Sequence, residues 1–380
     1  MRAVGAAERD LVRTAVRDRL AAGLWVRDLP SVPAGDPDVG QGGDPFAGGG
    51  EHERIEPVGD VGAPGGEDPA GGGVGVDDVD AVVVKVVAER PGVAGSQGEA
   101  GVGFGGVGEP DEFAIFEPGA GEGALATAIL DWAEGRDPAF RAAIRYVAFE
   151  PNSPGSDSRV EWREGPEGPA EHSVVIMNEL FDAFPVRMFD VGGRGPVEVL
   201  VRWDGEQFVE LPGGVASIDD APKAGRVEVN SRAYPAMRAL CSLVQRGAVL
   251  VFDYGYPQEE LWASWRTKGT LLCFYKHTAH EDPYIHVGDQ DLTTHVNFSD
   301  LAAAAEDEGM TVFGPVAQSE FLYALGAGQL VEAARNDLGE YFARRRALEQ
   351  LTDGAGLGRV RVLAAVRGLD GPMPGFEPTA

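Results

Sequence analysis

Four short apolar segments after residue 110 each end on a carboxylate or an amide. The segments and the polar residues that follow them are Phe113–Phe116 with Glu117, Tyr146–Phe149 with Glu150, Ser173–Met177 with Asn178, and Ala248–Phe252 with Asp253. Helical patterns separate them, as at Leu125–Trp132. This alternation is typical of a mostly parallel sheet with helices on both faces. The sequence therefore predicts an open, Rossmann-like α/β fold whose strands carry polar residues at their carboxyl ends, where ligands bind.

Further patterns fill in the predicted globular part, which we place at residues 111–368 with a short tail at 369–380. Asp204 and Gly205 between two apolar runs indicate a hairpin. Ser299 is a predicted helix cap, residues 329–351 are predicted as one helix, and residues 360–366 as a final, antiparallel strand. Inserted segments at about 190–235 and 260–298 are expected to cap the strand ends.

The first 110 residues differ in character from the rest. Residues 1–30 contain one helical pattern, and residues 31–110 are rich in glycine with only two aromatic residues, Phe46 and Phe104. Each ordered glycine costs backbone entropy, and this segment has little apolar surface to offset it. We therefore predict that residues 31–110 are poorly ordered or an aberrant reading.

Composition excludes several classes of protein. The net charge of −29 opposes nucleic-acid binding and favours a cationic partner, although the acidity also serves solubility alone. Two cysteines rule out a disulfide scaffold and fit a reducing cytoplasm. No apolar run reaches the roughly 18 residues that a membrane helix needs. We expect a cytoplasmic protein without a membrane span and without a nucleic-acid partner; a homodimer is possible.

The turn between the first predicted strand and its helix reads Glu117-Pro118-Gly119-Ala120-Gly121-Glu122-Gly123. Glycines allow a ligand to approach the backbone closely, and the helix start offers free N–H groups. The spacing G-x-G-x-G and the preceding acid favour S-adenosylmethionine over NAD. Glu150, at the next strand end, is predicted to accept hydrogen bonds from the ribose hydroxyls. The alternatives are a plain tight turn and a solvated carboxylate.

The third strand end reads Asn178-Glu179-Leu180-Phe181-Asp182-Ala183-Phe184-Pro185. Glu179 and Asp182 are predicted to flank a guanidinium group, because carboxylates match the forked N–H donors of arginine. Such a pair would orient one nitrogen and help to remove its proton. The alternative is that Asn178 and Asp182 only cap the loop and the following helix.

Two later motifs are predicted to lie on the substrate side. Asp253 and Tyr254 end a strand, where Tyr254 is predicted to stack on adenine or line the acceptor cleft. His277 and His280 with a carboxylate are a conceivable metal site, but no helix places both on one face, so a loop closing over the cleft is favoured and no metal is expected.

The ordered motifs E-P-G-A-G-E-G, N-E-L-F-D-A-F-P, V-F-D-Y-G-Y, D-L-T-T-H-V-N-F and Q-S-E-F-L-Y-A-L-G resemble the MidA-like family. That family includes mitochondrial complex I assembly methyltransferases, which dimethylate a protein arginine. The resemblance implies a seven-strand methyltransferase sheet, S-adenosyl-L-methionine as cofactor, and a protein substrate with an exposed arginine. It assigns Gly119, Gly121, Gly123 and Glu150 to the donor site, Asn178, Glu179 and Asp182 to the methyl group, and Thr293, His295 and Asn297 to a late loop.

The sequence departs from the family pattern at two places. The late loop usually reads D-L-T-A-H-V-D-F, so Thr294 and Asn297 differ. The A-L-Y-x-P-x-x-G-Y-Y-like and G-D-F-x-T-S-P-like stretches, which help to enclose the donor, do not occur before residue 110. A frame-shifted reading and divergence with loss of activity both account for this. The resemblance predicts protein arginine methylation as the function. The alternatives are a small-molecule methyltransferase and, because these stretches are missing, an inactive assembly protein.

Overall fold

The computed structural model describes residues 110–136, 138–150, 155–166, 168–193, 195–276, 278–369 and 371–376. The predicted helix in residues 1–30, the glycine-rich segment up to residue 109, and His277 lie outside these ranges. The strands are β1 (Phe113–Pro118), β2 (Ile144–Phe149), β3 (Val160–Arg163), β4 (Ala170–Asn178), β5 (Arg187–Gly192), β6 (Gly195–Trp203), β7 (Phe208–Val215), β8 (Gly225–Val229), β9 (Val244–Asp253), β10 (Gly255–Tyr256), β11 (Leu272–Tyr275), β12 (Thr278–His280), β13 (Asp291–Thr293), β14 (Val296–Asn297), β15 (Thr311–Ala317) and β16 (Arg361–Arg367). The helices are α1 (Ala124–Arg136), α2 (Pro138–Ala143), α3 (Ala233–Cys241), α4 (Gln258–Leu261), α5 (Phe298–Asp307), α6 (Gln318–Ala324), α7 (Ala327–Ala333) and α8 (Leu338–Thr352).

A seven-stranded sheet forms the centre of the described chain, in the order β15-β16-β9-β4-β1-β2-β3. The five strands β9, β4, β1, β2 and β3 are parallel to one another. Strand β16 runs antiparallel to both β9 and β15. The predicted mostly parallel sheet with an antiparallel last strand is confirmed.

Helices cover both faces of this sheet, which explains why its strands read as continuous apolar runs. Side chains alternate between the faces along each strand. In β9, Val249 belongs to the same buried cluster as Met237 of α3 and Leu301 of α5. Its neighbour Leu250 belongs to the opposite cluster, with Ile129 of α1. The sheet is therefore a rigid platform, and its carboxyl edge is where loops are free to form a site.

Besides the two-stranded sheet of β10 and β14, two smaller sheets are inserted between strands of the central sheet. A four-stranded sheet, in the order β7-β6-β5-β8, follows β4 along the chain, and a three-stranded sheet, in the order β12-β11-β13, follows β9. The predicted hairpin joins β6 to β7, where Trp203 pairs with Phe208. Asp204 stabilises its turn by accepting hydrogen bonds from the backbone N–H groups of Glu206 and Gln207.

Several predicted helix boundaries were wrong. The helix predicted over residues 329–351 is two helices, because Asp337 caps α8 by accepting from the N–H groups of Gly339 and Glu340. The predicted cap Ser299 is already helical, and the cap of α5 is Asn297, whose side chain accepts from the Ser299 N–H. The first helix extends beyond the predicted Trp132 to Arg136. Within the described residues, no helix is both long and apolar enough to cross a membrane.

Candidate active site

The glycine turn after β1 lies at the carboxyl edge of the sheet and leaves open space at its centre. Gly119, Gly121 and Gly123 have φ angles of 76°, 55° and 84°, which residues with a side chain rarely adopt. Gly121 is exposed, and a Cβ atom placed on it would meet no atom within 4 Å. A ligand can therefore approach the backbone of this turn closely.

Two predicted carboxylates lie beneath and beside the turn. Glu150, buried at the end of β2, accepts a hydrogen bond from the N–H of Gly121 at 3.1 Å. Glu117, buried at the end of β1, accepts one from the Tyr146 hydroxyl at 2.7 Å. The parallel pairing of β1 with β2 brings the two strand ends together. Glu150 is thus held at the turn itself, whereas Glu117 is held by a core tyrosine.

A segment that the sequence analysis missed also packs against the turn. A Cβ atom on Gly123 would lie 2.7 Å from the ring of Trp162 in β3, so only glycine fits there. Asp157 fastens this segment to α1 by accepting from the Thr127 hydroxyl at 3.2 Å. The hydrogen bonds from Arg159 to Asp157 hold the pKa of that carboxyl well below its ordinary value. These contacts become recognisable only once β3 is placed beside β2.

The acidic strand end lies next to the turn because β4 is the neighbour of β1. Asn178 is exposed and pairs with Phe252 at the last position of the β4–β9 register. The N–H of Glu179 donates to the Phe252 carbonyl at 2.8 Å. Glu179 has a φ angle of 48°, an uncommon conformation for a residue with a side chain. The chain therefore leaves β4 sharply, between the glycine turn on one side and Asp253 on the other.

Three predicted carboxylates meet behind this strand end. Asp253 has no exposed surface, and its oxygens accept from the N–H groups of Phe181 at 2.8 Å, Tyr254 at 2.8 Å and Asp182 at 3.4 Å. Burial raises the pKa of Asp253 well above its ordinary value, and the charges of Asp182 and Glu179 act in the same direction. Two buried carboxyl groups and the half-buried Glu179 thus lie close together, where a bound cation would favour their charged forms.

Replacing Asp253 by Asn should change how stability depends on pH. Because the folded-state pKa is raised, the contribution of this carboxyl is fully present below pH 3.8 and is lost as the pH rises towards the folded-state value. The asparagine variant has no such group. We compare the free energy of unfolding of the wild type with that of Asp253→Asn. The difference, wild type minus variant, should fall as the pH rises above 3.8, by up to about 1.4 kcal/mol per pH unit. Denaturant unfolding of both proteins from about pH 4 to pH 7 measures this, and a constant difference would contradict it.

The late loop is fastened to the acidic strand end by its backbone. The N–H of Thr294 donates to the Asp182 carbonyl at 2.9 Å, and the N–H of Val296 donates to the Tyr254 carbonyl at 2.8 Å. Thr293 lies further out, in β13 of the three-stranded sheet, where it pairs with Leu272. The loop therefore forms a wall of the site at Thr294 and His295, while Thr293 belongs to the inserted sheet.

His295 stands among cationic side chains. Burial lowers its pKa to about 4, and the charges of Arg266 and Arg359 act in the same direction, so the imidazole is neutral at neutral pH. Its ring lies 5.4 Å from the ring of Tyr256, and its N–H of the backbone donates to the Thr270 hydroxyl at 2.9 Å. His295 was predicted from the sequence as a site residue, whereas neither arginine was.

The histidine pair considered as a metal site is only half described, since His277 lies outside the described residues. His280 is in β12. In the part of the chain that the structure describes, no group of three or more His, Cys, Asp or Glu side chains is arranged to hold a metal ion.

The sequence that forms this site matches the model of a known protein family. Residues 103–316, more than half of the chain, match the family described as "Putative S-adenosyl-L-methionine-dependent methyltransferase". The mouse mitochondrial protein arginine methyltransferase NDUFAF7 is 30% identical over 200 residues, which are 50% of this chain and 44% of that protein. Its human counterpart is 28% identical over 201 residues, with the same two shares. The match thus spans less than half the length of these relatives.

Two solved structures from Burkholderia thailandensis are similar over most of their length. A COG1565 superfamily protein is 26% identical, with a TM-score of 0.66, covering 79% of this chain and 82% of that one. A second COG1565 superfamily member, bound to S-adenosyl-homocysteine, is 25% identical, with a TM-score of 0.63, covering 79% and 78%. The predicted MidA-like membership is confirmed, and the chain belongs to this family of S-adenosyl-L-methionine-dependent methyltransferases.

Proposed function

We propose that this chain transfers a methyl group from S-adenosyl-L-methionine to the guanidinium group of an arginine in a protein. The observation that carries the proposal is the placement of three strand ends side by side. An open glycine turn follows β1, and a group of carboxylates, of which Asp182 and Asp253 are buried, follows β4 and β9. The names of the similar mammalian proteins support the choice of arginine as acceptor.

The residues at the turn fit the donor. Open space at Gly121 admits a ligand against the backbone, and Glu150 lies at the same turn, where its carboxylate suits the two hydroxyls of a ribose. When bound, S-adenosyl-L-methionine supplies a methyl group attached to a positively charged sulfur. Residues 119–123 and Glu150 would therefore hold the donor.

The acidic strand end fits a guanidinium acceptor. Arginine presents planar, forked N–H donors that two carboxylates can engage together. Glu179 and Asp182 would bind and orient the group so that one nitrogen faces the donor. Because Asp182 is buried beside Asp253, whose pKa is raised, this site is suited to take up the proton that the nitrogen loses. The backbone of the late loop is hydrogen-bonded to the Asp182 carbonyl on this side and fixes its position.

Comparison of arginine methylation in the parent organism and in a strain without this gene tests the acceptor. We expect peptides with methylated arginine to disappear in the deletion strain, to return with the wild-type gene, and to remain absent with Asp182→Asn. Mass spectrometry of digested protein from the four strains measures this. Restoration by the Asp182→Asn gene would contradict the proposed role of the acidic strand end.

Donor binding by the purified protein separates the remaining outcomes. If S-adenosylhomocysteine binds in calorimetry but no arginine site changes, the acceptor is of another class, such as a small molecule. If it does not bind, the chain is an inactive member of the family. Either result overturns arginine methylation as the function of this chain.

A further inference from the structure

Three arginine side chains surround the ring of Tyr256, next to the candidate acceptor site. The guanidinium carbons of Arg266 and Arg361 lie 4.9 Å and 5.5 Å from the ring centre. A terminal nitrogen of Arg359 lies 3.5 Å from the Tyr256 hydroxyl. The hydrogen bond from Arg359 is the main reason that the pKa of Tyr256 is lowered. We call Arg266, Arg359 and Arg361 the arginine cluster.

This cluster is unusual in a chain with 61 acidic and 32 basic residues. Several other described arginines pair with carboxylates, as Arg187 does with Glu198 at 2.7 Å. Among the described residues, the cluster has one carboxylate within 4 Å, that of Glu260, 3.9 Å from Arg361. Arg266 and Arg359 have none there, and the Nε of Arg266 is buried without a hydrogen-bond partner. Within the described part of the chain, these two guanidinium groups therefore have no carboxylate as a counter-charge.

Both of these arginines line a cavity of about 940 Å³, together with His295 and Thr270. That volume is within the usual range of ligand sites. The cavity extends between β5–β8 and the segment around Tyr284. Its inner end reaches the candidate acceptor site, because His295 follows Thr294, whose N–H is bonded to the Asp182 carbonyl.

The two ends of the cavity differ in their charge balance. At the outer wall, Arg226 pairs with Asp190 at 2.8 Å and with Glu210 at 2.7 Å, which leaves one negative charge in excess there. At the inner end, Arg266 and Arg359 have no carboxylate within 4 Å among the described residues. His295 offers no compensating negative charge, and its Nδ1 is buried without a partner among the described residues. The inner end is therefore prepared for an anionic group that arrives from outside the chain.

Resting on the proposed arginine methylation, we propose that Arg266 and Arg359 bind the carboxylate of an Asp or Glu side chain in the same acceptor segment. The planar fork of a guanidinium matches a carboxylate, and two such forks converge on this end of the cavity. The acceptor segment is then recognised at two points. Its arginine enters the acidic strand end, and its neighbouring acidic residue enters the arginine cluster. A segment with only positive charge would lack the second contact.

Pairs of fluorescein-labelled nonapeptides with a central arginine test the carboxylate site. The two peptides of a pair differ at one position, which is Glu in one and Gln in the other, and the pairs together cover all eight positions. Binding is measured in the presence of S-adenosylhomocysteine. At the best position, we expect the Glu peptide to bind the wild type about 10-fold more tightly than the Gln peptide, as measured by anisotropy. In Arg359→Gln and Arg266→Gln the ratio should fall to about 2-fold or less. Arg345→Gln, which removes the same charge from an exposed pair with Glu349, is the matched control and should keep the wild-type ratio.

The outcomes separate this inference from the proposed function. The same peptides are also incubated with S-adenosyl-L-methionine, and their methylation is measured by mass spectrometry. Methylation without any preference for Glu in binding would overturn the carboxylate site and leave arginine methylation intact. A Glu preference that depends on Arg359, without methylation of any peptide, would support the site and overturn the proposed function. Equal loss of the ratio in Arg345→Gln would show general charge attraction and overturn the site. Unfolding temperature and S-adenosylhomocysteine affinity, unchanged in the variants, exclude misfolding.

Discussion

Glu179→Gln and Asp182→Asn are each expected to lower the rate of arginine methylation by about 100-fold or more, the range typical of a lost general acid or base. Both changes keep the shape of the side chain and remove its charge. A guanidinium held by one carboxylate is free to turn, and its nitrogen loses the group that takes its proton. Because the two residues act on the same guanidinium, the double variant should lose little more than either single variant.

Single-turnover rates with excess enzyme measure this effect without the contribution of product release. Glu171→Gln is the matched control, since Glu171 is an exposed glutamate at the opposite, amino end of β4. Its rate should equal that of the wild type. The affinity for S-adenosylhomocysteine should stay within about 3-fold in all variants, since the donor contacts lie at the glycine turn. A loss of less than about 5-fold in both Glu179→Gln and Asp182→Asn would remove these residues from the chemistry.

Gly121→Val is expected to weaken binding of the donor by about 100-fold or more, because a β-branched side chain fills the space that the ligand needs. The glycine has a φ angle of 55°, and a valine there is strained by about 1–2 kcal/mol in addition. Strain alone lowers stability, so the loss of ligand must be separated from it. Calorimetry with S-adenosylhomocysteine gives the affinity, and thermal unfolding with and without the ligand gives the stability.

Gly309→Val provides the same strain at a position remote from the glycine turn. Gly309 is exposed at the end of α5, has a φ angle of 74°, and a Cβ atom placed on it would also meet nothing within 4 Å. Both variants should unfold at a lower temperature than the wild type. Only Gly121→Val should lose the rise in unfolding temperature that the ligand causes. Binding within about 3-fold of the wild type in Gly121→Val would mean that the donor does not use this turn.

The central sheet and the strand ends were predictable because they depend on local patterns. Burial on both faces makes each central strand a continuous apolar run, and the first polar residue after it marks the carboxyl edge. Glu150, Asn178 and Asp253 were found in this way, and the structure places them at that edge. Their roles towards the donor and the acceptor stay predictions.

Helix boundaries were less predictable because two neighbouring polar residues compete for the same position. Asn297 and Ser299 are both good caps, and the backbone pairing of β14 with β10 decides in favour of Asn297. This also explains how the chain tolerates Asn297 where the family usually has Asp, since both side chains accept the same capping hydrogen bond. Within residues 329–351, the apolar spacing continues across Asp337 and hides the break.

The arginine cluster was not predictable from local sequence. Arg266 follows α4, whereas Arg361 begins the last strand of the central sheet and Arg359 lies two residues before it, far away along the chain. No spacing rule connects them, because they meet only through the pairing of β16 with β9, in which Arg361 lies opposite Asp253. That Arg266 and Arg359 have no carboxylate within 4 Å in the described ranges becomes visible only in three dimensions.

The late position of β16 along the chain has a consequence for synthesis of the protein. Because β16 comes last, β9 has no partner on that side while more than a hundred further residues are being translated, and an apolar strand edge is exposed to other nascent chains. A premature stop within this interval would leave that edge permanently open. We therefore expect truncated products to depend on chaperones or to aggregate, rather than to accumulate as soluble, partly active fragments.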